Sequence, residues 1–251
     1  MFIIKQQIRL MKRNDILFVI VLTAAVLIFL PLPFLVGIQK SFIYNPDYWA
    51  ITSFFKFALL STIGESLGLR IRTGKYNYRG FGLLPRAIVW GFLGIGIKIA
   101  FVVFASGAPV LLSKYFGLSG AIDSMKLADI FAAHEAGLGL TRLITAFTIS
   151  ALMNLIFAPV FMTFHKITDT HIINNGGTLK GFLKPIAFGK IFPSINWFVQ
   201  WDFVFKRTIP MFWIPAHTIT FLLPEQYQIV FAAFLGVILG VLLAIAAQKQ
   251  K

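Results

Sequence analysis

An all-α integral membrane bundle of about six segments is what this sequence predicts, and three observations carry that reading. The 251 residues are 58% hydrophobic with 13% charged, and the mean hydropathy is +0.82. Soluble domains sit nearer 45–50% apolar with about 25% charged, so this composition belongs to a membrane class. Second, the apolar residues gather into six stretches, and no recurring ten-residue alternation suggests a barrel strand. Backbone groups in lipid must be satisfied internally, which leaves helices as the reading. Third, the charge is lopsided: 23 Lys and Arg against 9 Asp and Glu give a net +14. The cations sit in short gaps between apolar runs, which points to anionic headgroups rather than nucleic acid.

The stretches run Ile16–Ile38, Tyr48–Leu69, Ala87–Leu112, Leu140–Phe164, Ile209–Leu223 and Ile229–Ala247. About 20 apolar residues at 1.5 Å rise cross a hydrocarbon core of about 30 Å, and five stretches meet that length. The fifth is short, about 22 Å of helix, and carries Pro210 and Pro215. It must borrow length from the residues before it or dip partway as a broken helix. The first is expected to be a retained helix, because no small-residue cleavage site follows it. No linker divides the chain, so residues 1–251 are expected to form a single membrane domain.

Basic residues set the orientation. One side collects Lys5, Arg9, Lys12, Arg13, then Arg70, Arg72, Lys75, Arg79, Arg86, then Lys166, Lys180, Lys184, Lys190, Lys206, Arg207, and finally Lys249 and Lys251. The other side has Lys40, Lys114 and Lys126. By the positive-inside rule this predicts six crossings with both termini in the cytoplasm. Residues 166–207 then form a cytoplasmic, interfacial amphipathic segment. Asn174-Asn175-Gly176-Gly177 marks a turn in it, and Ser194 is expected to cap a helix carrying Trp197, Trp201 and Phe205, with Asp202 and Lys206 paired at i,i+4.

Polar residues inside apolar spans are costly and therefore informative. Lys98 lies roughly 18 Å of helix from Arg86, near the expected midplane, and Glu65 lies about a turn from the inner end of the second segment. The expectation is a Glu65–Lys98 pair across antiparallel helices, lining a polar path or pinning the bundle. Lys56 is expected to snorkel outward. Asn154, His217 and Thr220 complete the set of polar-network or pore candidates. Ser61, Gly64 and Gly68, then Gly91, Gly94 and Gly96, then Gly236 and Gly240, mark where helices approach closely.

Catalysis finds little support. There is no cysteine, which removes disulfides, thiolate metal sites and thiol nucleophiles. No Walker, dinucleotide or nucleophile-elbow motif occurs, and His134-Glu135 lacks the second histidine of H-E-x-x-H. His165, Asp169 and His171 cluster at the end of the fourth stretch, with the first two at helical i,i+4 spacing. No fourth ligand accompanies them, and no metal or cofactor is expected. The chain is expected not to be an enzyme.

Trp213, His217, Thr220-Phe221 and Pro224, followed by one more apolar helix, resemble the ending of the Mpv-seventeen / twenty-two-kilodalton peroxisomal membrane protein family. That family reads W-P-x-x-Q-x-x-N-F, then V-P, then a last helix. Here Trp213 falls on the Trp, His217 on the Gln, Thr220 on the Asn and Phe221 on the Phe. Pro215 stands one place late and Pro224 one place early. Gly64-Glu65 resembles the family's early Gly-Asp, Gly91 and Gly94 its glycine-rich helix, and Ala158-Pro159 its proline before a loop. The family arginine after V-P and its final W-x-x-x-L-S are absent. The resemblance, over roughly residues 50–247, implies a small polytopic protein of peroxisomal or inner mitochondrial membranes, with channel activity in some members. The charge alternation fits a bacterial-type plasma membrane equally well.

The functional expectation is a channel-like protein or a transporter of a small solute or ion; the alternative is a structural scaffold whose buried charges fix helix register. The lipid bilayer, through its anionic headgroups, is the expected partner, with self-association into a homo-oligomer compatible and nucleic acid excluded.

Overall fold

The computed structural model describes residues 2–29 and 45–248, with side-chain surroundings given for 13–29 and 45–242. Pro31, Pro33 and the end of the first stretch lie outside these residues, as do Lys40, Lys249 and Lys251. Every regular element among the described residues is helical. The chain divides into two units, residues 1–52 and 53–251.

In the first unit, α1 (Phe2–Phe29) starts well before the apolar stretch, because Lys5 to Arg13 are good helix formers with no breaker among them. A 3₁₀ turn, Pro46–Tyr48, follows, with Asn45 accepting from the Asp47 amide at 2.9 Å. It leads directly into α2 (Trp49–Thr73).

In the second unit α2 is followed by α3 (Leu83–Tyr115), two short helices, α4 (Ala121–Lys126) and α5 (Ile130–Glu135), and then α6 (Gly139–Asn174). Three short pieces come next: α7 (Leu179–Phe182), α8 (Phe188–Ser194) and α9 (Trp197–Val199). A π-helical segment, Gln200–Trp213, continues into α10 (Ile214–Leu222), and α11 (Glu225–Gln248) ends the fold. Among the described residues, three helices are long and apolar enough to cross a membrane: α3, α6, and Glu225–Leu242 of α11.

The fourth stretch does not end at Phe164. Its helix runs ten residues further to Asn174, so no loop follows closely on Ala158-Pro159 as the family resemblance implied. The helical i,i+4 spacing expected of His165 and Asp169 is present, and the polar side chains here find partners on neighbouring helices or, as Thr168 does, on their own backbone. The chain turns at the expected Asn-Asn-Gly-Gly, where Gly176 and Gly177 take positive φ.

The short fifth stretch borrows length from the residues before it. Helical backbone is continuous from Trp197 to Leu222. Pro210 sits in its π portion and Pro215 in the first turn of α10. The Ile214 amide bonds the Ile209 carbonyl, a five-residue step. Proline offers no N–H and its ring crowds the carbonyl four residues back, so a widened turn lets the helix continue past it. Ser194 does not cap this run. It closes α8, donating to the Ile191 carbonyl, and Asn196 takes the cap by accepting from the Val199 amide at 3.1 Å. The Asp202–Lys206 pair forms at 3.3 Å.

Small residues do bring helices together. A Cβ on Gly64 would lie 2.9 Å from Val237 Cα, and one on Gly68 3.4 Å from the Gly240 carbonyl oxygen. Ser61 faces Gly236 at the same seam. The matched order, 61–64–68 against 236–237–240, shows α2 and α11 running parallel. Gly91 and Gly94 of α3 receive the rings of Phe54 and Phe57, whereas Gly96 meets nothing within 4 Å.

Candidate functional site: a charge cluster joining three helices

The residues that converge most closely lie where α2, α3 and α6 meet. Arg86 is the fourth residue of α3, and Trp90 stands one turn further on. On α6, His165 and Asp169 have the same i,i+4 spacing, so each helix presents a stacked pair from one face. Glu65 of α2 reaches between them.

The Arg86 guanidinium donates from Nη1 to Glu65 at 2.6 Å and pairs through Nη2 with Asp169. Trp90 Nε1 donates to the other Glu65 oxygen at 2.9 Å. His165 Nε2 stands 3.2 Å from that same oxygen, with its ring centroid 4.5 Å from that of Trp90. Lys166 reaches Asp169 only at 3.9 Å, from a half-exposed position. The Arg86 side chain is 7% exposed, against 19% for Glu65 and 18% for Asp169. A guanidinium suits this place, since its fork serves two carboxylates at once and stays charged when buried.

Local sequence explains how Arg86 is aimed. Gly82 precedes α3 in the left-handed region, φ 76°, and a Cβ there would strike Ile172 and Gly177. Gly177 in turn has no room for a Cβ against the Gly80 carbonyl. The 80–82 turn therefore sits on the 176–177 turn, setting the start of α3 beside the end of α6. Arg86 Nε then donates to the Phe81 carbonyl at 2.8 Å, with the Phe81 ring 4.4 Å from the guanidinium.

Two carboxylates face one guanidinium and one imidazole. A neutral His165 leaves the four groups with one net negative charge, and a protonated His165 balances them. The arrangement can hold three helices together or exchange a proton; it offers no nucleophile paired with a base. Among the described residues, no group of three or more His, Asp or Glu side chains is placed to hold a metal ion.

The other candidates fall elsewhere. Glu65 and Lys98 do not pair, which corrects the sequence expectation: Lys98 bonds Glu225 at the start of α11 at 3.0 Å. Its four-carbon stem reaches a largely exposed carboxylate, while Glu65 is saturated by nearer donors. Lys56 is buried at 5% exposure rather than snorkelling. Asn154 donates to the Ser150 carbonyl at 2.9 Å, and Ser150 Oγ donates to the Ile214 carbonyl at 2.7 Å, stitching α6 to α10. His217 Nδ1 and Thr220 Oγ1 are 3.3 Å apart.

Trp213 stacks on His217 at 5.4 Å and 16°. Phe101 of α3 meets His217 edge-on at 5.5 Å and the Phe221 ring at 4.8 Å. The residues of the C-terminal motif thus form one aromatic packing unit, and Pro224 precedes α11, its carbonyl accepting from the Tyr227 amide.

Sequence reasoning placed Arg86 among loop cations and did not single out Trp90 or Arg142. The available signal was the repeated i,i+4 spacing of Arg86/Trp90 and His165/Asp169. Arg142, 2% exposed in the first turn of α6, donates to the carbonyls of Ser124 and Leu127 at 2.7 and 2.8 Å. It fastens α4 and the link to α5 onto α6.

What the fold and site define, among the described residues, is an all-helical protein with three membrane-length apolar helices and a buried charge cluster. In comparisons with family models, curated proteins and solved structures, nothing matches this chain.

Proposed function

We propose that this chain is a multi-pass integral membrane protein with six crossings and both termini on the basic side, and that it moves a small solute or ion. Three helices of sufficient length among the described residues and the basic asymmetry support the membrane reading. The parallel run of α2 and α11 supports the count, because the second and sixth crossings share a direction. The bilayer it belongs to is a plasma membrane in a prokaryotic cell, or a mitochondrial or peroxisomal membrane in a eukaryotic one.

The observation that carries the transport reading is the Glu65–Arg86–Asp169–His165 cluster. Ionisable groups buried between membrane helices are expensive and mark ion or proton paths. Here four of them stand on three different helices, so breaking one contact frees helices to move relative to each other. A structural scaffold is the second reading, favoured because Arg86 and both carboxylates find their partners inside the bundle.

Flux from reconstituted vesicles against a panel of ions and small metabolites separates the two. Transport predicts a flux that Glu65→Gln changes in rate or ion preference while the protein stays folded. Absence of flux for every solute, with folded protein present in the vesicles, removes the transport reading and leaves the scaffold.

A further inference from the structure

The geometry points to the arm that follows α6 and runs into the π segment, residues 179–207, as a docking surface for anionic phospholipid headgroups. This inference rests on the membrane reading above but is independent of transport.

The arm is fastened on one side only. Ile191 and Ile195 pack with Ile167 of α6 in a buried cluster, and the Phe188 ring stacks on Phe164 at 6.4 Å. Ile167 lies two residues from both His165 and Asp169, so the arm sits level with the charge cluster. The opposite side is bare: Phe192 is 47% exposed, Phe198 76% and Trp201 56%. Large rings facing outward in such number are unfavourable in water and suited to the boundary between headgroups and acyl chains.

Charge selects the occupant. Lys180, Lys184, Lys190, Lys206 and Arg207 are all exposed, and Asp202 is the one acid between residues 175 and 213. That carboxylate is already answered by Lys206. Lys206 Nζ also stands 5.8 Å from the centre of the Trp201 ring, so cation and aromatic ring occupy the same patch. An acidic protein partner would satisfy the lysines, but the apolar rim continues along an unbroken helix into the buried α10. Such continuity favours the bilayer surface, where basic and aromatic side chains mix on a helix lying in the interface.

The chain lacks native cysteine, which makes a site-specific test direct. Full-length Phe198→Cys and Val103→Cys proteins, each carrying an environment-sensitive fluorophore, are reconstituted into vesicles of equal parts phosphatidylcholine and phosphatidylglycerol. In parallel samples one or the other lipid carries bromine as quencher. Val103 is an exposed residue in the interior of α3 and reports insertion alone. The expected result is quenching at both sites, with brominated phosphatidylglycerol more effective than brominated phosphatidylcholine at 198. That preference should fall toward equality on Lys184→Gln/Lys190→Gln/Arg207→Gln replacement and in high salt. A basic residue near an anionic surface changes lipid partition at most about fivefold at low ionic strength, so three give a resolvable difference. Quenching at 103 but none at 198 overturns the arm proposal while insertion stands. Equal quenching by both lipids at 198 leaves an apolar arm without headgroup selectivity and also overturns it. Loss of quenching at both sites removes the membrane reading and the arm proposal together.

Discussion

Arg86 and Glu65, 21 residues apart in sequence and on adjacent helices, join at 2.6 Å with the guanidinium almost wholly buried. The carboxylate of Asp169, from a third helix, completes the pairing. A buried ion pair contributes little over an apolar replacement of both partners, whereas removing one partner leaves an uncompensated charge.

Arg86→Met should therefore lower stability in detergent by about 3–5 kcal/mol, since two carboxylates lose their cation. Adding Glu65→Gln and Asp169→Asn to it should recover part of that loss. Reversible unfolding in mixed micelles provides the measurement. Simple additivity of the three losses would mean that the residues act independently.

The Lys98–Glu225 pair should behave differently. Glu225 is 79% exposed at its side chain, so solvent screens the contact and coupling in a double-mutant cycle should be about 0.2–1 kcal/mol. Lys98→Met combined with Glu65→Gln should show no coupling at all, because the two sites share no partner. A coupling above 1 kcal/mol between Lys98 and Glu65 would contradict the geometry.

Glycine replacements give an internally controlled test of the α2–α11 seam. Gly64→Ala places a methyl 2.9 Å from backbone of Val237, and overpacking of this kind costs about 1–3 kcal/mol. Gly96→Ala meets nothing within 4 Å and should be neutral or stabilising by up to about 1 kcal/mol, from helix propensity. Thermal unfolding of the two variants in one detergent compares them. Equal effects would show that the seam is not a close contact.

His217 packs between Trp213 and Phe101 and meets Thr220. His217→Gln keeps a polar group for the threonine, while His217→Leu keeps only bulk. The leucine variant should be less stable than the glutamine variant by roughly 1 kcal/mol, the net value of one such hydrogen bond. If they unfold together, His217 serves as packing alone.

Topology is checked by single cysteines at Tyr76 and Thr178. Both belong to the basic side under the six-crossing proposal and should resist an impermeant thiol reagent until cells are lysed. Labelling of either in intact cells would break that assignment.

Composition and apolar run length were enough to determine the helical class, because lipid leaves a backbone few other ways to satisfy its polar groups. The small residues on α2 and α11 likewise marked helices that pack closely, but that these two meet each other was decided by the tertiary structure. Helix ends and charge partners were beyond the sequence. His165 and Asp169 were legible as an i,i+4 pair at the end of the fourth stretch, but nothing local said that Arg86 and Glu65 would meet them. Glu65 was matched with Lys98 because their helices were expected to be antiparallel neighbours, but a pairing depends on rotation and offset as well as on adjacency. Those are set by contacts far apart in the chain: Gly82 against Gly177, Gly94 under Phe57, Gly64 against Val237. Such contacts turned Glu65 toward Arg86 and left Lys98 to the exposed carboxylate of Glu225, a choice that belongs to packing and not to any local pattern.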